Sequence, residues 1–397
     1  MVELKSNALG TSIKVDRLIG KYTQNNEGPA LIFIGGMHGN EPSGVFALHS
    51  VLKELNHSKV NFKGEIFAFA GNLTALSMGA RFIEKDLNRI WPFNRVEELI
   101  AGKFDPEKEC IDEKEQRELF DVIQNSYKNK GPVCMFDLHT TSAKSRPFTT
   151  IADTLRNRQF ALNFPIPIIL GIEEQLEGTL LNYINELGFL AVGFEAGQHD
   201  EIVSIEIHKS VIWLTLYHTG CIEKEDLPNY EQHISNLSAR SENGKKIYEV
   251  RYRHEVDEKQ GFNMLPGFKN FQRIKKGELL AKNSNGNVRS KEKGMIFLPL
   301  YQEKGNDGFF LVREFMPFWL NISAYIREKR MERILPYLPG IKKHPSNGSS
   351  LIIDRKIARW FVVEILHLFG YRRKKTENGK LIVTKRKYDI HGPKVLS

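Results

Sequence analysis

Ile32-Phe-Ile-Gly-Gly-Met-His38-Gly-Asn-Glu41-Pro-Ser-Gly44 decides the fold of this 397-residue chain. The apolar run from Ala30 to Ile34 predicts a buried strand. Gly35, Gly36 and Gly39 permit a sharp bend. Pro42 to Leu55 then predicts a helix, with Val45, Leu48, Val51, Leu52 and Leu55 at helical spacing. Between them, His38 and Glu41 sit three residues apart at a strand end. By itself that pair reads equally as a carboxylate at a helix start beside a chance histidine. A distant partner changes the balance: Phe136-Asp137-Leu138-His139-Thr140-Thr141 brings a second histidine at the end of another apolar strand, Val133 to Leu138. His38, Glu41 and His139 would hold one zinc ion with a position left open for water, although other divalent metals accept the same donors.

Working outward, strand and helix patterns alternate. Glu65 to Ala70 predicts a strand and Glu113 to Asn129 a helix; Pro165 to Leu170 and Phe189 to Phe194 predict further strands, and Ile202 to Thr219 a helix. This alternation argues an α/β fold with a mixed, mostly parallel sheet covered by helices on both faces. His38, His139 and Glu195 are each expected just after a strand, where ligand chemistry gathers in such sheets. Glu223 to Lys246 is polar and predicts a connector. The expected organisation is a catalytic domain over 1–222, a small β domain over 247–315, and a basic helical and hairpin extension over 316–397. The hairpin is expected to turn at Asn378-Gly379.

Glu195 closes the apolar segment from Gly188 to Phe194 and is the candidate general base, an ordinary strand-end carboxylate being the alternative. Asp137 either orients a histidine or is a solvated strand-end residue. Arg81 is a candidate for polarising a carbonyl, and Asn88 with Arg89 for clamping a substrate carboxylate, because a guanidinium binds carboxylates with two parallel bonds. An unremarkable surface loop would look the same.

Composition is that of an ordinary globular protein. The net charge of +9 is unevenly placed: residues 321–397 hold 18 Lys+Arg and 6 Asp+Glu, whereas residues 1–320 hold 39 and 42. The main body is therefore not a basic protein, and nucleic acid is not an expected partner. The clusters Arg372 to Lys375 and Lys385 to Lys387 are expected to form a solvated face, with attraction to an anionic lipid, nucleic acid or acidic protein as the alternative. Trp360 to Phe369 is expected to pack on the protein. Three widely spaced cysteines read as buried reduced thiols. No apolar run approaches a membrane span, and Met1 to Ser12 lacks a signal-peptide core, so a cytoplasmic location is expected.

Taken together, Gly-Gly-Met-His38-Gly-Asn-Glu41-Pro-Ser-Gly, Arg81 with Asp86-Leu-Asn88-Arg89, Asp137-Leu-His139-Thr-Thr, and Gly193-Phe-Glu195-Ala-Gly197 resemble the succinylglutamate desuccinylase/aspartoacylase family, zinc carboxypeptidase-like amidohydrolases. The resemblance runs from about residue 28 to 315, and nothing after about residue 316 is matched. It implies zinc on His38, Glu41 and His139, Glu195 as catalytic base, Arg81 at the carbonyl, Asn88 and Arg89 at the substrate carboxylate, and Tyr301 near the substrate. It implies hydrolysis of a small, carboxylate-bearing N-acyl amino acid or related amide by metal-activated water. One feature departs: Gly178 to Gly188 lacks the arginine that aspartoacylases use to read an aspartate side chain. Two other readings stay open, a metallocarboxypeptidase acting on a peptide or cell-wall fragment, and a non-catalytic binding or regulatory protein on a hydrolase scaffold. A homo-oligomer is compatible with either.

Overall fold

The computed structural model describes residues 1–6, 9–128, 130–239, 245–257, 261–354, 357, 362–377 and 380–393. Its centre is an eleven-stranded mixed sheet. Strand Asn25–Gly35 lies between Lys63–Ala70 and Val133–Thr141, parallel to both, and Val133–Thr141 is parallel to Leu190–Gln198. These central strands are apolar on both sides because both sides are covered. Leu31 and Phe33 face one core, packed with helices Ser43–His57 and Ile202–His218. Ala30, Ile32 and Ile34 face the other, packed with helices Ile111–Tyr127 and Leu180–Leu187. The period-two alternation of a pleated strand thus serves two cores at once.

The sheet does not stop with these strands. Phe148–Ile151 pairs antiparallel to Leu190–Gln198 and parallel to the three-residue strand Ile168–Leu170. Ile168–Leu170 in turn pairs with Ile247–Glu255, which continues antiparallel into Asp307–Phe315 and Gly294–Phe297. A three-stranded sheet stands beside this edge. Among the described residues no helix is long and apolar enough to cross a membrane.

Several expectations are corrected. Neither His139 nor Glu195 follows its strand: both lie inside it, because Val133–Thr141 and Leu190–Gln198 stay paired past them, His139 opposite Glu195. The polar stretch after residue 222 is not merely a connector. It contains helix Tyr230–Ser238, which packs on Ile202–His218 and buries Leu237. Cys134 and Cys221 are buried free thiols, whereas Cys110 is half-buried at the start of helix Ile111–Tyr127. The proposed turn at Asn378-Gly379 lies outside the described residues, but the strands on either side, Tyr371–Glu377 and Lys380–Lys385, are paired. Of Trp360 to Phe369, residues 360–361 also lie outside them; Leu366 and Phe369 are buried.

The extension is not simply a solvated basic face. Arg327 and Arg372 are fully buried. Both reach Asp153, Arg327 at 3.1 Å and Arg372 at 2.5 Å, and Arg158 pairs with the same carboxylate. Arg372 also meets Glu174 at 3.0 Å and Glu249 at 3.3 Å, and Arg327 meets Asp389 at 3.1 Å. Arg386 lies 3.1 Å from Glu173. Burial disfavours the Asp153 carboxylate, but the charges of Arg158, Arg372 and Arg327 outweigh it and hold its pKa well below the usual range. Glu249 is likewise brought down to about 2, burial being overcome by the His367 hydrogen bond and the Arg372 charge.

Two outcomes are expected. Asp153→Asn leaves buried guanidinium groups without their shared partner and should cost roughly 3–5 kcal/mol in denaturant unfolding. The stabilisation from Glu249, whose folded pKa is depressed, should be fully present above its ordinary value of 4.5 and be lost as pH falls towards about 2. Unfolding free energies measured across that window should fall less steeply in Glu249→Gln.

Candidate active site

At the end of strand Asn25–Gly35 the chain turns through Gly36, whose φ of 72° suits glycine. A side chain at Gly39 would collide with the Ala75 backbone, so that position needs glycine for close approach. The turn aims His38 and Glu41 inward. Glu41 does not cap the following helix, which has no side-chain cap. Its carboxylate is instead divided between two imidazoles: Oε1 is 3.0 Å from His38 Nδ1, and Oε2 is 3.0 Å from His139 Nδ1. The Thr140 backbone N–H also donates to Oε2, at 3.0 Å. Ligand atoms of His38, Glu41 and His139 all lie within 4.8 Å of one another, and all three residues are buried.

The far nitrogen of each ring faces an aspartate. His38 Nε2 is 3.1 Å from Asp86, and His139 Nε2 is 2.8 Å from Asp137. Metal ligation through Nδ1 needs the Nε2–H tautomer, which the Asp86 bond favours for His38, whereas the Nδ1 contacts with Glu41 are hydrogen bonds only when Nδ1 carries a proton. Asp86 also receives the Asn88 backbone N–H at 2.8 Å, which fixes the short turn Leu87–Arg89. Asp137 therefore sits behind His139, and the matching role of Asp86 behind His38 is one that sequence reading missed. The motif around Asp86 carried the residue but not its partner.

Charge explains the cluster. Burial opposes ionisation of Glu41, but the His38 charge and hydrogen bonds from both imidazoles hold it well below the ordinary carboxylate range. Burial likewise opposes a charged His139, while Asp137 and Glu41 together push it well above the usual imidazole value. Several buried carboxylates thus converge where positive charge is stabilised. Two imidazole nitrogens and a carboxylate also form a donor set suited to zinc.

Arg81 lies 3.4 Å from both Glu41 and Asp86 at the rim of this cluster. Glu195, paired across the sheet with His139, carries an Oε2 with no hydrogen-bond partner. Burial raises its pKa well above the ordinary value; Glu41 and Asp137 add to the rise, and His139 opposes it. Asn88 and Arg89 line the same cavity, of about 160 Å³. Asn88 Oδ1 accepts from Leu180 N at 3.1 Å, and Arg89 is held by Asp307 at 2.8 Å. Gly178 allows its loop to lie against the Arg89 backbone.

Tyr301 is not among the residues lining the cavity. Its hydroxyl donates to Leu265 O at 2.8 Å and accepts from Phe268 N at 2.9 Å. Its neighbour Gln302 does line the cavity, 2.8 Å from Asn40 Nδ2 and 3.3 Å from His199 Nε2. His199 bonds Thr140 through Nδ1 at 2.7 Å and lines the cavity too. It stands four residues beyond Glu195, so proximity to that motif was its only signal.

Fold and site define an α/β domain with a buried, metal-suited ligand set beside a carboxylate that has one oxygen without a hydrogen-bond partner. Residues 27–211 match the family model described as the succinylglutamate desuccinylase/aspartoacylase catalytic domain. The chain is 35% identical over 72 residues to a succinylglutamate desuccinylase of Pseudomonas putida, covering 18% of this chain and 21% of that protein. It is 26% identical over 121 residues to a succinylglutamate desuccinylase of a Shewanella species, covering 30% and 34%. The chain thus spans only about a fifth to a third of the length of these relatives. Among solved structures, a succinylglutamate desuccinylase/aspartoacylase from Rhodobacter sphaeroides superposes with a TM-score of 0.53 at 17% identity, over 74% of this chain and 87% of that one. A succinylglutamate desuccinylase from Vibrio cholerae gives 0.50 at 15%, over 84% and 86%. These two share the fold.

Removing either supporting carboxylate should loosen the ligand set. Asp86→Asn and Asp137→Asn are each expected to weaken zinc binding by about 10–100-fold, as read by competition with a chromogenic chelator.

Proposed function

We propose that this chain is an amidohydrolase that removes the acyl group from a small N-acyl amino acid or related amide. The observation that carries the reading is the convergence of His38, Glu41 and His139 next to a carboxylate with a free oxygen, Glu195. His38, Glu41 and His139 would hold one zinc ion, which when bound supplies a Lewis acid and lowers the pKa of water.

The remaining work falls to the chain. Glu195 takes a proton from the attacking water at its free Oε2 as the oxygen–carbon bond forms. The raised pKa of Glu195 suits it to hold that proton and return it to the amine nitrogen as the carbon–nitrogen bond breaks. Arg81, half-committed to two carboxylates at 3.4 Å, has donors near the point where negative charge develops on the carbonyl oxygen. Asn88 and Arg89 line the cavity within reach of a substrate carboxylate. Tyr301 is left out of this contact set because its hydroxyl is committed to the backbone. The loop from Leu298 to Asp307 contributes residues to the cavity wall, which supports a small substrate over a peptide.

Glu195→Gln should keep its zinc, measured by metal analysis, and lose at least about a hundredfold in kcat on N-acyl amino acids. Full turnover by that variant would remove Glu195 from the mechanism, and cleavage of short peptides in preference to acyl amino acids would move the reading to a carboxypeptidase.

A further inference from the structure

The cavity extends away from the metal-suited cluster along strand Phe148–Ile151. Phe148 is paired with Glu195, and Thr150, Ile151 and Ala152 line the wall beyond it. At roughly 3.4 Å per residue, the Ile151–Ala152 end lies about 10–14 Å from the level of Glu195. Glu173 enters at that end. It belongs to the short turn Ile172–Glu174, which follows the strand Ile168–Leu170, and Leu170 is paired with Ile151.

The Glu173 side chain is only 6% exposed, yet it lines the cavity. Its Oε1 accepts from Asp153 N at 3.2 Å and from Arg386 Nη2 at 3.1 Å. Its Oε2 has no partner. A buried carboxylate oxygen left without a donor is costly, and an N–H group supplied by a ligand removes that cost. In the amidohydrolase reading the lining guanidinium groups are already assigned, Arg89 to the substrate's α-carboxylate and Arg81 to its carbonyl, which leaves neither for a distal carboxylate. Between the two ends, Ile151, Ile172, Leu176 and Leu181 give the wall an apolar stretch suited to methylene groups.

We propose that Glu173 is a specificity-determining residue and that the substrate is an N-acyl amino acid whose side chain ends in an ammonium group on a methylene chain. This rests on the amidohydrolase reading and names its substrate class. Arg386, contributed by the C-terminal extension, is a positioning residue: by occupying Oε1 it leaves Oε2 as the acceptor for the substrate.

The test uses the full-length protein. Binding of Nα-acetyl-lysine, Nα-acetylnorleucine and Nα-acetylglutamate to the zinc-loaded Glu195→Gln variant is measured by calorimetry, and their turnover by the zinc-loaded wild type is measured in parallel. Nα-acetyl-lysine should bind at least about tenfold tighter than the other two, the scale of one charge-assisted hydrogen bond. Adding Glu173→Gln should bring the lysine-to-norleucine ratio within about twofold, with the melting temperature checking that the variant is folded. Equal or tighter binding of the norleucine or glutamate compound by the Glu195→Gln variant overturns the assignment, whatever Glu173→Gln does. A lysine preference in binding with no turnover of any compound overturns the hydrolase reading and leaves Glu173 in place. Turnover that favours the glutamate compound does the reverse. No binding of any of the three overturns both.

Discussion

The carboxylate of Glu41 is the constraint on which the site depends. It is buried, accepts from two imidazoles and a backbone N–H, and so fixes the spacing between strands Asn25–Gly35 and Val133–Thr141 at their shared end. Rotation of His38 is restrained by the bond of its outer nitrogen to Asp86, and Asp137 lies 2.8 Å from the outer nitrogen of His139. The resulting excess of buried negative charge is tolerable only with compensating cations. Arg81 and the imidazoles supply part of it, and a divalent ion in the same place fits the remainder.

Much of this was legible in the chain itself. The turn at His38 and Glu41 announces itself through an apolar strand, clustered glycines and a helical period, all local signals. His139 could be matched to it because it too ends an apolar run. What the sequence could not convey was pairing. Whether Val133–Thr141 stops before or after His139 depends on Leu190–Gln198 running alongside, and that register is a tertiary property. Helix Tyr230–Ser238 was hidden by its polarity, since it buries only Leu237. Asp86 and Glu173 were visible as residues, but their roles depend on partners 48 and 213 positions away in the chain.

The extension illustrates the same limit more sharply. A count of lysines and arginines reads as a solvated basic tail, yet Arg327, Arg372 and Arg386 are the parts of it that dock. Among their partners, Asp153, Glu173 and Glu174 lie in the N-terminal half of the chain. Charge composition says nothing about which charges are desolvated; only geometry does. Buried pairs of this kind are a modest source of stability but a strict condition on fit, because a misplaced partner leaves a charge uncompensated.

The two halves of the large sheet meet through Ile168–Leu170, a strand of three residues held by three register pairs on each side. That junction gives synthesis of the protein a chronology. Apart from Ile168–Leu170, every strand from Asn25–Gly35 to Leu190–Gln198 can find its neighbours before residue 247 has left the ribosome, so the ligand cluster is assembled early, when a chain folds from its N-terminal part onward. The second side of strand Ile168–Leu170 and the wall from Leu298 to Asp307 are completed only later. A nascent molecule therefore passes through a stage in which its reactive groups are already organised but still open to solvent, and chain termination near residue 222 would leave it there.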